Sequence, residues 1–302
     1  LAPEIGVTFL YNAYFAYNAY GEDTMAFKDL KRKNLKDLTS EMEKLSERNN
    51  SFDNSDDNLW RPKLDSSNTG YAVLRFLPAP DGEDLPWVRV FDHGFKGPTG
   101  KWYIENSLTT IGQKDPCSEF NSSLWNSGIE SDKDVARKQK RRLNYYSNVY
   151  VKTDQLNPEN EGKVFLFRYG KKIFDKLTEA MQPDFEDDTP VNPFDLWDGA
   201  DFKLKIRIVE GYWNYDKSGF AEPSQFLKDE DEMETIWKQT YSLSELISPA
   251  KFKSYDELKT KLNGVLGIET GVGASTPAPA VKSVEVDEGD DPMSYFEKLA
   301  NS

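Results

Sequence analysis

Apolar and polar residues alternate in short runs through the middle of the chain. The segments "YAVLRFLP" (71 to 78), "WVRVF" (87 to 91), "KWYI" (101 to 104), "YYSNVYVK" (145 to 152), "KVFLFRY" (163 to 169) and "FKLKIRIV" (202 to 209) are rich in β-branched and aromatic residues. Each is bounded by Gly, Pro, Asp or Asn, so six strands are predicted. That many short strands in this span imply a barrel or a sandwich. Helical spacing appears between and after them, in "DKDVARKQKRRL" (132 to 143) and "KKIFDKLTEAM" (171 to 181). A later "SYDELKTKLNG" has the Ser254 to Glu257 spacing of a capping box and a terminal Gly264.

The same patterning divides the chain. From Phe27 to Arg48, Leu30, Leu35, Leu38, Met42 and Leu45 fall near helical spacing, with Lys28, Lys31, Arg32, Lys33 and Lys36 crowded into the first half. Residues 49 to 58, "NNSFDNSDDN", read as a linker. After Gly264 a Gly/Ala/Ser/Thr/Pro-rich stretch leads to five acids between Glu285 and Asp291, then an apolar tip of Met293, Tyr295, Phe296 and Leu299. The expected organisation is a leader (1–24), a basic arm (25–48), a core (49–265) and a flexible linker with an acidic tail (266–302). The leader repeats "YNAY" and lacks a positive n-region, and Met25 is read as the native start, the alternative being a genuine disordered arm.

Charge sharpens this picture. The 302-residue chain carries a formal charge of −14, which would ordinarily oppose a polyanionic ligand. Yet residues 137 to 176 hold eleven Lys/Arg against four Asp/Glu, a local +7 that leaves −21 for the rest. The core of this window, "RKQKRRLNYYSNVYVK", sets the five cations Arg137, Lys138, Lys140, Arg141 and Arg142 against Tyr145, Tyr146 and Tyr150. With Cys117 the only cysteine, no intramolecular disulfide can form, which suits a reducing compartment. No run approaches the ~18 apolar residues of a membrane span.

Alternate strand residues share a face. Phe165, Phe167 and Tyr169 therefore lie together, while Lys203, Lys205 and Arg207 lie opposite Phe202, Leu204, Ile206 and Ile208. Cations that track phosphates beside aromatics that accept unstacked bases are what a single-stranded nucleic acid requires. Taken one at a time, strand aromatics more often fill a core. As a set, Tyr145, Tyr146, Tyr150, Tyr212, Trp213 and Tyr215 fall at strand starts or turns beside cations, where a polar handle suits a partly exposed site. His93 and Cys117 show no further nucleophile signature, and one His with one Cys cannot complete a Cys/His zinc site. The acidic clusters at 183–190 and 228–235 lack a catalytic spacing and read as solvated loops or first helical turns.

At "AVLRFLP", "HGFK" with "GKWYIE", "NPENEGKVFLFRYGKKIFDK", "WDGADFKLKI" and "GYWNYDKSGF" the chain resembles the single-stranded DNA-binding, helix-destabilising proteins of T-even-type bacteriophages. The likeness spans about residues 27 to 265. It implies a mainly β, α+β fold with inserted helices: an OB-fold core with a basic cleft, plus a smaller subdomain of formerly zinc-binding type. It also implies cooperative, sequence-nonspecific binding of DNA in replication, recombination and repair, no catalysis, and a place in the cytoplasm of an infected bacterium. The cleft positions correspond to Arg141, Tyr145, Phe167, Arg168, Tyr212 and Tyr215, with Lys140 and Lys171 nearby. The family's cooperativity motif survives as "KRKNL", which keeps Lys31, Arg32 and Lys33 but not the hydroxyl pair. The acidic tail would recruit viral replication and recombination proteins and compete with DNA for the groove. Of four zinc-ligand positions two match, His93 and Cys117, while the others hold Ser107 and Phe120, so loss of zinc is expected. Rival readings are an RNA-binding regulator, a metal-dependent nuclease and a protein-binding scaffold.

Overall fold

The computed structural model describes residues 58–185 and 187–268. The expected leader, the basic arm with Lys31, Arg32 and Lys33, and the acidic tail lie outside the described residues.

All six predicted runs are strands, within a few residues of their expected ends. They are β2 (Thr69–Phe76), β3 (Val88–Lys96), β4 (Trp102–Asn106), β5 (Arg142–Asp154), β6 (Val164–Tyr169) and β7 (Phe202–Val209). Three short strands join them: β1 (Leu59–Trp60), β8 (Tyr212–Asn214) and β9 (Gly219–Phe220). In place of two stacked sheets, the described strands form one mixed sheet in the order β1-β6-β5-β2-β7-β8, with β3 on β5, β4 on β3 and β9 on β7. Only β1 with β6 is parallel. The thirteen residues of β5 are long enough to bond to β2, β3 and β6.

Local chemistry explains the joints. Glu210 and Gly211 both have positive φ, 54° and 82°, which is the type I′ turn whose twist suits a two-residue hairpin from β7 into β8. At Asn68, φ is 58°, and the Asp65 carboxylate accepts from the amides of Ser67 (2.8 Å) and Thr69 (2.9 Å), closing the loop into β2. The helices are α1 (Pro116–Asn126), α2 (Glu130–Lys138), α3 (Lys171–Met181), α4 (Glu230–Trp237) and α5 (Tyr255–Leu266). The basic ribbon expected to be helical to residue 143 leaves the helix at Lys138, because Arg142 is already paired to Asp92 in the sheet. The capping box of Ser254 and Glu257 is present, but α5 runs past Gly264 and ends at Gly267, which supplies the left-handed cap at φ 72°.

One face of the sheet is the main core. Leu74, Phe76, Val149, Val151, Phe167, Tyr169, Phe202 and Leu204 fill it, roofed by Ile173 and Leu177 of α3. Phe76 sits at its centre, with the rings of Tyr169, Phe194 and Phe202 at 5.6–5.8 Å in edge-on geometry. A smaller core lies under β3 and β4, where Phe95, Tyr103 and Cys117 meet Leu262 and Val265 of α5. Gly97, just past β3, lies directly against the Val265 carbonyl, and Thr99 Oγ1 donates to that same carbonyl at 2.6 Å.

A methyl group on Gly97 would overlap the Val265 backbone, which cannot swing away as a side chain can. Gly97→Ala is expected to cost about 1–3 kcal/mol in urea unfolding and to raise amide exchange in α5 first. Wild-type stability would show that the helix docks without that close approach.

Candidate nucleic-acid interface

Register decides which tyrosines of the basic ribbon are available. On β5 and β6, Tyr145 is paired with Tyr169 and Tyr146 with Arg168. Opposed residues share a face, so Tyr145 and Tyr169 point into the main core while Tyr146 and Arg168 point away from it. Tyr145 is 5% exposed, and its ring stacks on Phe174 at 3.9 Å between centroids.

The outward side carries a concentrated cationic network. Asp92 of β3 receives Arg142 Nε on one oxygen and Arg168 Nη2 on the other, both at 2.8 Å. Arg168 Nε also donates to Asn144 Oδ1 at 2.9 Å. Two guanidinium groups thus share one buried carboxylate, each donating to a different oxygen. Gly94 makes this possible, since a Cβ there would collide with the Arg142 guanidinium. Arg141 does not join this network: it lies at 4.4 Å over the ring of Phe91, which is paired with Leu143 on the other face. Burial pushes the Tyr146 phenol above its usual pKa and Arg168 opposes it. Asp92 pushes it further up, and Arg61 and Arg142 also pull it down, placing that hydroxyl in the field of three arginines and one acid.

The positions marked by the resemblance divide into two groups. Arg141, Lys140, Arg168 and Lys171 are at least partly exposed, and Lys171 Nζ reaches Asp175 one helical turn on at 2.9 Å. Tyr212 is 54% exposed on the β8 hairpin. Phe167 and Tyr215, at 2% and 3% exposure, are in the main core with Tyr145 and Trp213, so the expectation that the tyrosines and tryptophan of this set keep a wet polar handle is corrected for Tyr145, Trp213 and Tyr215. The physical reason is that a shared face tells which aromatics travel together, not which side is covered. Tyr150 packs edge-on against Phe226 at 5.0 Å, a structural contact. Asp92 carries no sequence signal that would place it between two arginines. Arg61, in "LWRPKL", carries no local signal that would have placed it beside Tyr146.

In the smaller subdomain, His93 Nδ1 donates to the Gln139 carbonyl at 3.0 Å, while Nε2 faces Asp115 Oδ1 at 3.3 Å. Burial works against a charged imidazole here, but the Cys117 sulfur and the Asp115 carboxylate outweigh it and raise the His93 pKa. Burial likewise opposes ionisation of Asp115, and the hydrogen bond from His93 overrides it, holding that carboxyl down at about 2. Asp115 also caps α1 by accepting from Ser118 N at 2.8 Å and takes Leu108 N at 3.1 Å. Ser107 caps the 3-10 turn Leu108–Ile111, and Phe120 packs on the apolar cluster. These four positions do not present a tetrahedral thiolate–imidazole donor set. Among the described residues no group of three or more His, Cys, Asp or Glu is arranged to hold a metal ion. Four of the five acids of the 228–235 cluster lie at the N-cap and first turn of α4, with Asp229 as the cap. No described helix is long and apolar enough to cross a membrane.

The side of the sheet away from the main core thus gathers guanidinium groups beside a tyrosine. The family model for gp32 DNA binding protein like sequences matches residues 68–266, which spans the entire sheet from β2 onward through α5. The chain is 39% identical over 251 residues to the single-stranded DNA-binding proteins of Enterobacteria phage T2 and of Enterobacteria phage T4, covering 82% of this chain and 83% of each relative. It is also 36% identical over 116 residues to the single-stranded DNA-binding protein of Enterobacteria phage RB70, a match that covers 98% of that relative. The chain belongs to the gp32-like family of T4-type phage proteins.

Removing Asp92 would leave Arg142 and Arg168 facing each other without their common acceptor. Asp92→Ala is expected to destabilise the fold by about 3–5 kcal/mol in chemical denaturation, with Asp92→Asn intermediate. A loss below about 0.5 kcal/mol for the alanine variant would mean that the network does not hold β3 to β5 and β6.

Proposed function

We propose that the chain binds single-stranded DNA cooperatively and without sequence preference, as a non-enzymatic protein of phage replication, recombination and repair in the cytoplasm of an infected bacterium. The observation that carries this reading is the convergence of Arg142, Arg168 and Arg61 around the outward-facing Tyr146, in a chain of the gp32-like family. Phosphates meet the guanidinium fork and a base meets the ring. The relatives from phages T2 and T4 are named for single-stranded DNA binding. In this reading the sheet is the OB-type core of the family, Lys31, Arg32 and Lys33 link neighbouring protomers, and the acidic tail recruits replication and recombination proteins. The core aromatics Tyr145, Phe167 and Tyr215 support the cleft from beneath and stiffen the strands that present the arginines.

The smaller subdomain is proposed to stand without zinc. Asp115 supports this, because it occupies the His93 ring nitrogen, caps α1 and anchors the turn at Leu108 simultaneously.

Intrinsic fluorescence titration with poly(dT), poly(U) and duplex DNA over a series of salt concentrations tests the first proposal. Salt-sensitive quenching by poly(dT), little by duplex, is expected, and Arg168→Gln should make the logarithmic salt slope shallower by about 0.7. Equal or tighter binding of poly(U) would favour the RNA reading, and loss of oligonucleotide length in magnesium would favour a nuclease. For zinc, elemental analysis of the purified chain is expected to find far less than one equivalent, with a melting temperature unmoved by EDTA. A stoichiometric, chelator-sensitive metal would overturn that proposal.

A further inference from the structure

The sheet face opposite the main core is covered in one half and open in the other. Arg75 of β2 marks the boundary: it is fully buried, with Nη2 donating to the carbonyls of Asp195 (2.8 Å) and Ser224 (2.9 Å), and with Phe226 beside it. Two and four residues earlier on the same face come Val73 and Tyr71, and Tyr71 is 37% exposed. Their partners on β7 are Lys203 and Lys205, and Thr69 is paired with Arg207. β7 alternates strictly here, with Phe202, Leu204 and Ile206 buried and Lys203, Lys205 and Arg207 exposed. The three cations therefore stand in a row about 6.6–6.8 Å apart. Among the described residues neither Lys203 nor Lys205 forms an ion pair, and Arg207 has only the distant Asp216 at 3.8 Å. On the other flank Lys203 is opposite Gly219, where a Cβ would meet nothing within 4 Å, so the approach is unobstructed. Ser218 holds that flank in place, its Oγ accepting from Lys205 N at 2.9 Å and donating to Lys205 O at 3.0 Å.

We propose that this open face of β2 and β7 is a second single-strand contact, with Lys203, Lys205 and Arg207 tracking successive phosphates and Tyr71 stacking on a base. A row of like charges at regular spacing, without acids between them and with an aromatic ring alongside, complements an extended phosphodiester better than a compact ligand. It is separate from the cluster at Asp92, since β5 and the roof over Arg75 lie between them. The stripe lengthens the path of a bound strand instead of adding to its first anchoring point. This inference rests on the reading of the chain as a single-stranded DNA binder.

The test compares the full chain with Lys203→Gln/Lys205→Gln and with Tyr71→Ala on an oligo(dT) length series at several salt concentrations. The wild-type chain binding no oligo(dT) of any length would sink the functional reading itself, and the stripe with it. Given wild-type binding, the double variant is expected to lower the salt slope by about 1.4 on long oligo(dT), two contacts at about 0.7 each. It should leave the shortest binding oligonucleotides unaffected. Tyr71→Ala should weaken binding to the long strand about five-fold or more with its salt slope unchanged. A wild-type slope in the double variant, or an equal loss on short and long strands, overturns the second contact. So does a double variant that binds DNA normally but no longer binds an added acidic peptide, because the face would then read carboxylates. All three side chains project from the sheet surface, and matched thermal unfolding confirms that the variants are folded.

Discussion

Strand β5 bonds to three neighbours, and nearly everything in the molecule inherits its parity. Because side chains alternate along a strand, the odd residues Tyr145, Ser147, Val149 and Val151 are committed to the core once any one of them is. Their even neighbours are then committed to the other side, where Arg142, Asn144 and Tyr146 meet β3 and β6. A slip of one residue would bury the arginines and expose Val149 and Val151. The Asp92 carboxylate guards against that slip, since it is satisfied only when Arg142 and Arg168 arrive on the same face. Its contribution is specificity of register as much as stability.

The same parity reconciles the acidic composition with a polyanionic ligand. The cations of the middle region are gathered by strand pairing onto the side of the sheet away from the core, whereas many acids serve local backbone needs. Asp65 closes a loop, Asp115 and Asp229 cap helices, and Glu257 completes a capping box. A carboxylate that accepts backbone amides is held where those amides are, so net charge is a poor guide to the field over any one face.

Much of the fold was legible in the sequence because β-branched and aromatic alternation is a local signal. All six patterned runs are strands, and the 171–181 helix has the expected ends. What stayed hidden was non-local. The pairing of β5 with three strands, the parallel entry of β1 and the merging of the strands into one sheet depend on partners far along the chain. In the site, the grouping of Phe165, Phe167 and Tyr169 was readable, but their burial was not, because α3 and the 194–226 segment cover faces that a strand alone leaves undecided. Arg61 and Asp92 belong to the cluster through tertiary proximity alone. Conversely, the stripe of Lys203, Lys205 and Arg207 was visible from alternation, and register with β2 added the tyrosine beside it.

The docking of α5 under β3 and β4 also orders events in time. Thr99 and Val265 are 166 residues apart, yet they share a hydrogen bond within the smaller core. Phe95 and Tyr103, made early, must wait for Leu262 and Val265, made near the end, before that core is closed. Contacts of such long sequence separation form slowly. On the ribosome, the hairpin of β3 and β4 therefore emerges with an open apolar surface that only the last described helix can seal, so a nascent chain halted before α5 would carry the cations of the sheet on an unfinished scaffold.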